Sequence, residues 1–412
     1  MNAKAQELTK EMMASWTGWV KEIVEAGGRV SDRASAAELE MRIRREGQQH
    51  LGRLLAGALQ LAVDARPPAR TCPHCGGWRA HKGVRPRTPL SSMGAIRVEG
   101  VYWHCPRCGR GQHAADAVID GTFTDGMREL GCMLAIGLSG FDQAARAATK
   151  VLGVRVDDDT LRRLAEEEGR RAQARPTPAP PVEPGADLVG SADGTMVNTR
   201  QTGWREVKAY LWTHAGGRQS GAHLEEAERF TPRLRQAALG LRVGRAGRCF
   251  FVSDAAEWID RGVRVNLPMA IRIVDLWHAC QHVHAAGEAL YPKDEDRGRR
   301  WAERWSGRLR AWGGRKTRAA LARVRWKDPA REAAVAPLVK YLECQADRMD
   351  YPTYEARGYP ISSGPMESFC KQLGRRLKGP GMRWSGSNVD PIAALVSLWI
   401  DRRWNTYWHS AA

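Results

Sequence analysis

Two short runs, CPHCGG from Cys72 and CPRCGR from Cys105, are copies of one pattern, C-P-x-C-G, and they bound the fold more tightly than any other part of the chain. Each sets two thiols on a tight turn, Cys72 with Cys75 and Cys105 with Cys108. The glycine after the second cysteine leaves room for backbone amides to donate to sulfur. Four thiolates on two such turns make a closed tetrahedral Zn2+ site, structural because no ligand position stays open. The interval between the pairs is long, but GAIRVEGVYWHC supplies the strand that a zinc ribbon needs there. His74, His104 and His113 are spare ligands nearby. Cys132, Cys249, Cys280, Cys344 and Cys370 are scattered singly, unlike a disulfide framework and as expected of a reducing compartment.

At 412 residues the chain exceeds one ordinary core, and its texture divides it. Residues 1–66 carry apolar side chains at three- and four-residue steps and read as helices, broken by Pro67 and Pro68. The cysteine module fills 67–115. Residues 116–173 read as short helices, of which FDQAARAATKVLGV and DDTLRRLAEEE have the outline of a helix-turn-helix, with Arg162 and Arg163 toward a duplex. The run ARPTPAPPVEPG predicts an extended linker over 174–186. From 187 to 290 strands alternate with helices, and RCFFVSD and MAIRIVD are short apolar runs that suit buried strands. Residues 291–355 are helical, Trp-rich and basic, and 356–412 closes the chain with two further helices.

Charge narrows the partners. A formal net charge of +18 and a pI near 9.9 favour polyanions. No run of about 18 apolar residues occurs, and the first residues lack the apolar stretch of a signal peptide, so a cytoplasmic, nucleic-acid-handling protein is expected and a membrane is not. In RGRRWAERWSGRLRAWGGRKTR the tryptophans 301, 305 and 312 recur at helical spacing and are expected to pack. The cations around them, Arg315, Lys316 and Arg318 included, are the candidates for phosphate contacts. So are Lys371, Arg375, Arg376, Lys378 and Arg383.

Three acids carry the chemical interest. Asp193 lies in SADGTMV, Asp254 at the end of CFFVSD, and Glu367 in the first turn of a helix otherwise crowded with cations. Singly, each has a plain explanation: a turn, a helix cap, an i,i+4 pair with Lys371. Together, carboxylates from two strand ends and a nearby helix can hold two Mg2+ ions about 4 Å apart. On that helix Met366, Cys370, Leu373 and Leu377 form an apolar stripe, with Glu367, Lys371 and Lys378 on the ridge beside it.

The order Asp193, Asp254, Glu367, with a long helical stretch before the glutamate, resembles the DDE transposases. SSGPMESFCKQLGRRLKGPGMRWS and IVDLWHACQHV are similar to segments of the ISKra-type bacterial insertion-sequence family. The resemblance implies a multidomain α+β protein: N-terminal helices, a zinc ribbon and a helix-turn-helix-like unit, then a ribonuclease-H-like catalytic domain with an all-α insertion. It implies that Asp193, Asp254 and Glu367 hold Mg2+ (or Mn2+), two ions per active site. The implied activity is cleavage at the ends of a mobile element and strand transfer into double-stranded target DNA, by a dimer or larger homo-oligomer. The Asp275–His278 spacing resembles an accessory motif of Mutator-like relatives and implies that His278 lies beside the active site. A metalloprotease reading fails, because Ala279 stands where its glutamate is required. Two other readings are a non-catalytic zinc-ribbon DNA-binding protein descended from a transposase, and a nuclease of the same fold that cuts without joining.

Overall fold

Asp32 starts the longest helix: its carboxylate accepts from Ser35 N at 2.8 Å while Ser35 Oγ accepts from Asp32 N at 3.1 Å, a reciprocal cap. The computed structural model describes residues 3–66 and 70–409, so the expected helix breakers Pro67 and Pro68 lie outside the described residues. It is a mixed α+β structure of two compact units, Met1–Glu168 and Gly169–Ala412.

In the first unit α1 (Ala3–Gly27) runs back along α2 (Arg33–Asp64), with Lys4 Nζ 2.7 Å from the Asp64 carboxylate. Then come β1 (Ala80–Arg87), β2 (Leu90–Ser91), β3 (Gly94–Ala95), β4 (Val98–His104) and β5 (Gly111–His113). β1, β4 and β5 form an antiparallel sheet in that order, while β2 pairs with β3. Val63 of α2, Val98 of β4, Ala115 and Ile119 make the small core beneath it. Helices α3 (Asp125–Gly137), α4 (Phe141–Ala147) and α5 (Asp158–Ala174) follow, with a π-helical turn at Ala148–Leu152 and Gly153 at φ 66° closing it. On α5, Arg162 is held by Asp159 and by Glu166 at 2.8 Å, and Arg163 by Asp159 at 3.0 Å. The two arginines expected to face a duplex are thus neutralised by acids of their own helix, one turn away.

The second unit is built on a five-stranded mixed sheet. β6 (Asp187–Thr199), β7 (Gly203–His214) and β8 (Gly217–His223) are antiparallel neighbours. α6 (Ala227–Gly240) leads to β9 (Arg248–Ser253), and α7 (Glu257–Asn266) to β10 (Ile271–Val274). β9 pairs parallel with both β6 and β10, giving the order β10-β9-β6-β7-β8. Side chains alternate across it. Ala192, Trp212 and Phe251 face a core with Phe230 and Leu234 of α6 and Ile259 and Val263 of α7, whereas Phe250, Val252 and Ile273 face the other side. Asp193 therefore points away from α6 and α7. The weakly apolar β8 carries little signal in GRQSGAH. Its edge is covered by acids: Ser220 N donates to Asp401 at 2.7 Å and Leu224 N to Asp390 at 2.7 Å.

The proline-rich run is no free connector. Val182 is fully buried in the α6–α7 core and donates its N–H to Leu241 O at 2.9 Å, and Ala179 is buried beside it. An extended proline-rich chain repeats every three residues, so Ala179 and Val182 fall on one side and give that side something to bury.

α8 (Leu276–Leu290), α9 (Glu295–Ala322), α10 (Pro329–Gln345) and α11 (Tyr351–Ala356) share a separate core of Val283, Leu290, Trp305, Leu309, Leu338 and Leu342. By packing, this helical region starts at Leu276 rather than at residue 291, because the buried face of α8 is turned to α9 and α10. α12 (Gly364–Leu377), α13 (Gly386–Ile400) and α14 (Trp404–His409) complete the unit. No helix among the described residues is long and apolar enough to cross a membrane.

α8 and α9 meet at two glycines. A Cβ on Gly287 would lie 2.6 Å from Gly298 O, and one on Gly298 would lie 2.9 Å from Gly287 O. Both obstacles are backbone, which cannot rotate aside. Gly287→Val is expected to destabilise the second unit by about 1–3 kcal/mol, read as a lower urea midpoint; a midpoint unchanged from wild type would count against the close crossing.

Candidate metal centre and carboxylate site

The cysteine turns are built alike. Gly76 N donates to Cys72 O at 2.9 Å and Gly109 N to Cys105 O at 2.9 Å, with both glycines at positive φ, 68° and 71°. Cys72 Sγ lies 3.7 Å from Cys108 Sγ, and Cys75 Sγ 3.5 Å from Cys105 Sγ. All four sulfurs fall within 4.8 Å of one another. A tetrahedron with metal–sulfur bonds of about 2.3 Å has edges of about 3.8 Å, so the cluster fits a structural metal such as zinc. The His74 amide holds the Cys72 thiol down to about 6, which readies it as a thiolate. The histidines play other parts. His74 Nδ1 lies 2.8 Å from Arg110 Nη1, and His113 bonds Arg85 O at 2.8 Å and accepts from Ala115 N.

In the second unit the sheet brings two of the three acids together. Asp193 lies midway along β6, its Oδ1 accepting from Gly194 N at 2.7 Å. Asp254 follows the last residue of β9, and its Oδ1 accepts from Ala256 N at 2.9 Å. Between them in that turn Ala255 adopts φ 68°, a left-handed conformation unfavourable for any residue with a Cβ. Its buried methyl belongs to the helical core. Burial first, and then the charge of Asp254, hold the Asp193 carboxyl above its usual range. His278 is near enough to oppose that rise, as is the Cys370 thiol, which hydrogen-bonds to Asp193 from α12. Burial pushes this thiol upward, so it stays a neutral donor.

Glu367 is on the exposed face of α12, its carboxylate 2.7 Å from Lys371 Nζ. Among the described residues the four cysteines are the only group of three or more metal-ligating side chains drawn within 4.8 Å, so Asp193, Asp254 and Glu367 do not form one cluster of that size.

Asp275 links the parts. Its amide donates to Ser253 O at 2.8 Å, one residue before Asp254. Its fully buried carboxylate accepts from the backbone of His278 at 2.8 Å and from Ser363 N, immediately before α12. The D-x-x-H motif thus serves through Asp275 as a bracket between the Asp254 turn and the Glu367 helix. It accepts from the His278 backbone, not from the ring. That ring has Nδ1 3.1 Å from Gln281 Oε1. His282 stacks on Tyr341 of α10 with ring centroids 3.8 Å apart, and burial, followed by the charge of His278, lowers its pKa. The Tyr341 hydroxyl is buried without a partner among the described residues and feels the charge of Asp254. No pattern in the sequence singles out Tyr341, Cys370 or Ala255 for this neighbourhood.

The basic candidates separate. Arg375, Lys378 and Arg383 are exposed, as is Lys316. Arg315 pairs with Asp347 at 2.6 Å and Arg318 with Glu343 at 3.0 Å, both at the surface. Arg376 is a correction. Only 2% of it is exposed and its guanidinium lies 4.9 Å from the Trp384 ring centroid, with burial pushing its pKa down to about 10. It belongs to the buried face of α12 with Met366, Phe369, Leu373 and Leu377, where a phosphate cannot reach it. Of the tryptophans, Trp305 is buried, while Trp312 is largely exposed and shares Arg308, 5.1 Å away, with Trp305 at 4.6 Å. Compared with known proteins, the chain matches no family model and no curated protein.

Proposed function

We propose that the chain is a DNA transposase that cleaves the ends of an insertion sequence and joins them to target DNA. The observation that carries this reading is the pairing of Asp193 and Asp254 on neighbouring strands, against the helix whose sequence resembles the ISKra-type glutamate segment. The strand order gives further support. Three antiparallel strands, with two more added parallel beside the first, are what a ribonuclease-H-like core requires, and helices interrupt it before the glutamate.

A pair of half-buried acids, with Asp193 held above its usual range by burial and then by the Asp254 charge, is a donor set suited to divalent cations. Asp193, Asp254 and Glu367 would hold Mg2+ (or Mn2+), which when bound supplies neutralising charge for the attacking and leaving oxygens. Glu367 would have to exchange Lys371 for that role, and an exposed i,i+4 pair is worth only about 0.3–0.5 kcal/mol. His278 would lie beside the active site, in contact with the scissile phosphate. The cysteine cluster would hold Zn2+, and the first unit would recognise double-stranded element ends, with two copies of the chain bringing two ends together. The Glu367–Lys371 pair is also the observation that favours the other reading, a DNA-binding protein without catalysis.

Excision and insertion of a marked element bounded by the gene's native flanks tests this directly. Glu367→Gln is expected to reduce mobilisation at least roughly 10³-fold, from the several kcal/mol that metal-held charge contributes, while DNA binding persists. Equal activity of the two proteins would remove Glu367 from the mechanism. Binding without mobilisation by wild type would favour the non-catalytic protein, and nicks without insertions a nuclease.

A further inference from the structure

We propose that the first unit carries a groove for the phosphate backbone of duplex DNA, formed by α2, the turn leading through β3, and the π-helical turn after α4. The groove measures about 1260 Å³. Arg44, Arg45, Arg53, Arg97, Arg146 and Lys150 line it, and no carboxylate does. Six cations from three separate stretches of chain converge on one concave surface.

The walls are fixed. Arg44 donates to Val151 O, and Gln48 Nε2 reaches Leu152 O on one side and Ser92 O at 3.3 Å on the other. At Gly52 the helix lies so near the opposite turn that a Cβ would sit 3.1 Å from Met93 O. The π-helical turn adds a second sign, since such turns are frequent at functional sites.

The cations are available. Arg45 lies 3.8 Å from Glu46, Arg97 2.9 Å from Glu99 and Arg146 2.9 Å from Asp142, all at the surface, where a phosphate displaces a carboxylate at little cost. Arg53 and Lys150 have no acid partner among the described residues. A flat anionic bilayer does not enter a concave groove, and an acidic peptide has no regular spacing to match. The choice of DNA as occupant rests on the functional reading above; the charge and shape of the groove do not.

Full-length protein, titrated against a labelled duplex of the gene's native flanking sequence, is the test. Arg53→Glu with Lys150→Glu is expected to weaken binding roughly 10- to 100-fold at fixed salt and to reduce the slope of log K against log salt by about 2. The variant must melt as wild type does and keep its metal. If it does not, Arg53→Gln with Lys150→Gln is measured instead and is expected to show the same loss of slope. Wild-type affinity and slope in a folded variant would overturn the proposal. Loss of binding to phosphatidylglycerol vesicles, with duplex binding intact, would overturn the choice of occupant. Slope-dependent binding by a wild-type protein that cuts nothing would leave the groove standing and sink the transposase.

Discussion

Asp193→Asn is expected to melt at a higher temperature than wild type at neutral pH while losing metal-dependent cleavage by at least roughly 10³-fold. Both effects have one origin. The folded chain holds the Asp193 carboxyl above its usual range, by burial and by the Asp254 charge, so between the unfolded value of 3.8 and the raised folded value it keeps a proton that the unfolded chain has released. Stability is therefore lost as pH rises through that window, and the deficit persists above it. Asparagine carries no charge, yet offers the same oxygen to Gly194 N. The gain in melting temperature should shrink as pH falls and vanish below about 3.8, the unfolded value. Added Mg2+ should raise the melting temperature of wild type but not of the variant. A variant less stable than wild type at neutral pH would make Asp193 an ordinary structural aspartate.

Replacing Cys105 by serine is expected to have the largest effect on folding. Cys105 is fully buried, and its N–H and C=O both close the second turn, to Arg110 O and from Gly109 N. Four-thiolate zinc sites contribute an apparent 10–16 kcal/mol to the folding of small domains, more than the roughly 5–15 kcal/mol stability of a typical domain. The variant should bind no zinc by elemental analysis, against one ion per chain in wild type, and its first unit should lose its unfolding transition. The second unit has its own cores and should keep one. Stoichiometric zinc in Cys105→Ser, or none in wild type, would end the structural-metal reading.

Some of this was legible in the residues. Local chemistry with a fixed period reads well: the doubled C-P-x-C-G turns, and the apolar run of β9, buried on both faces because Cys249 and Phe251 go one way and Phe250 and Val252 the other. Asp254 follows from the pattern as a strand end, whereas Asp193, also read as a strand end, lies midway along β6 because the pairing with β7 runs on to Thr199. What escaped depends on partners remote in sequence. Arg376 looks like its basic neighbours until Trp384 folds over it. Arg162 and Arg163 are a different case, since the acids that hold them, Asp159 and Glu166, stand within four residues and already weaken the DNA reading in the sequence. Gly287 and Gly298 look like poor helix formers, and only the crossing of α8 and α9 gives their missing Cβ atoms a purpose. The proline-rich run reads as an extended linker because composition cannot reveal that Val182 has a core to enter.

The ends of the helical region meet. Leu276 N donates to Ile361 O at 2.9 Å, and Asp275 beside it grips Ser363, so the chain leaves the sheet and returns to it within a single turn's breadth. A loop whose ends are already pinned gains little entropy by lengthening, since each doubling adds only about 0.6 kcal/mol to its closure. Everything from α9 to α11, beyond the helix that carries His278, is therefore an exchangeable cassette. Descendants of this chain can lengthen, prune or replace it, and so change what it touches, while Asp254 and Glu367 keep their places.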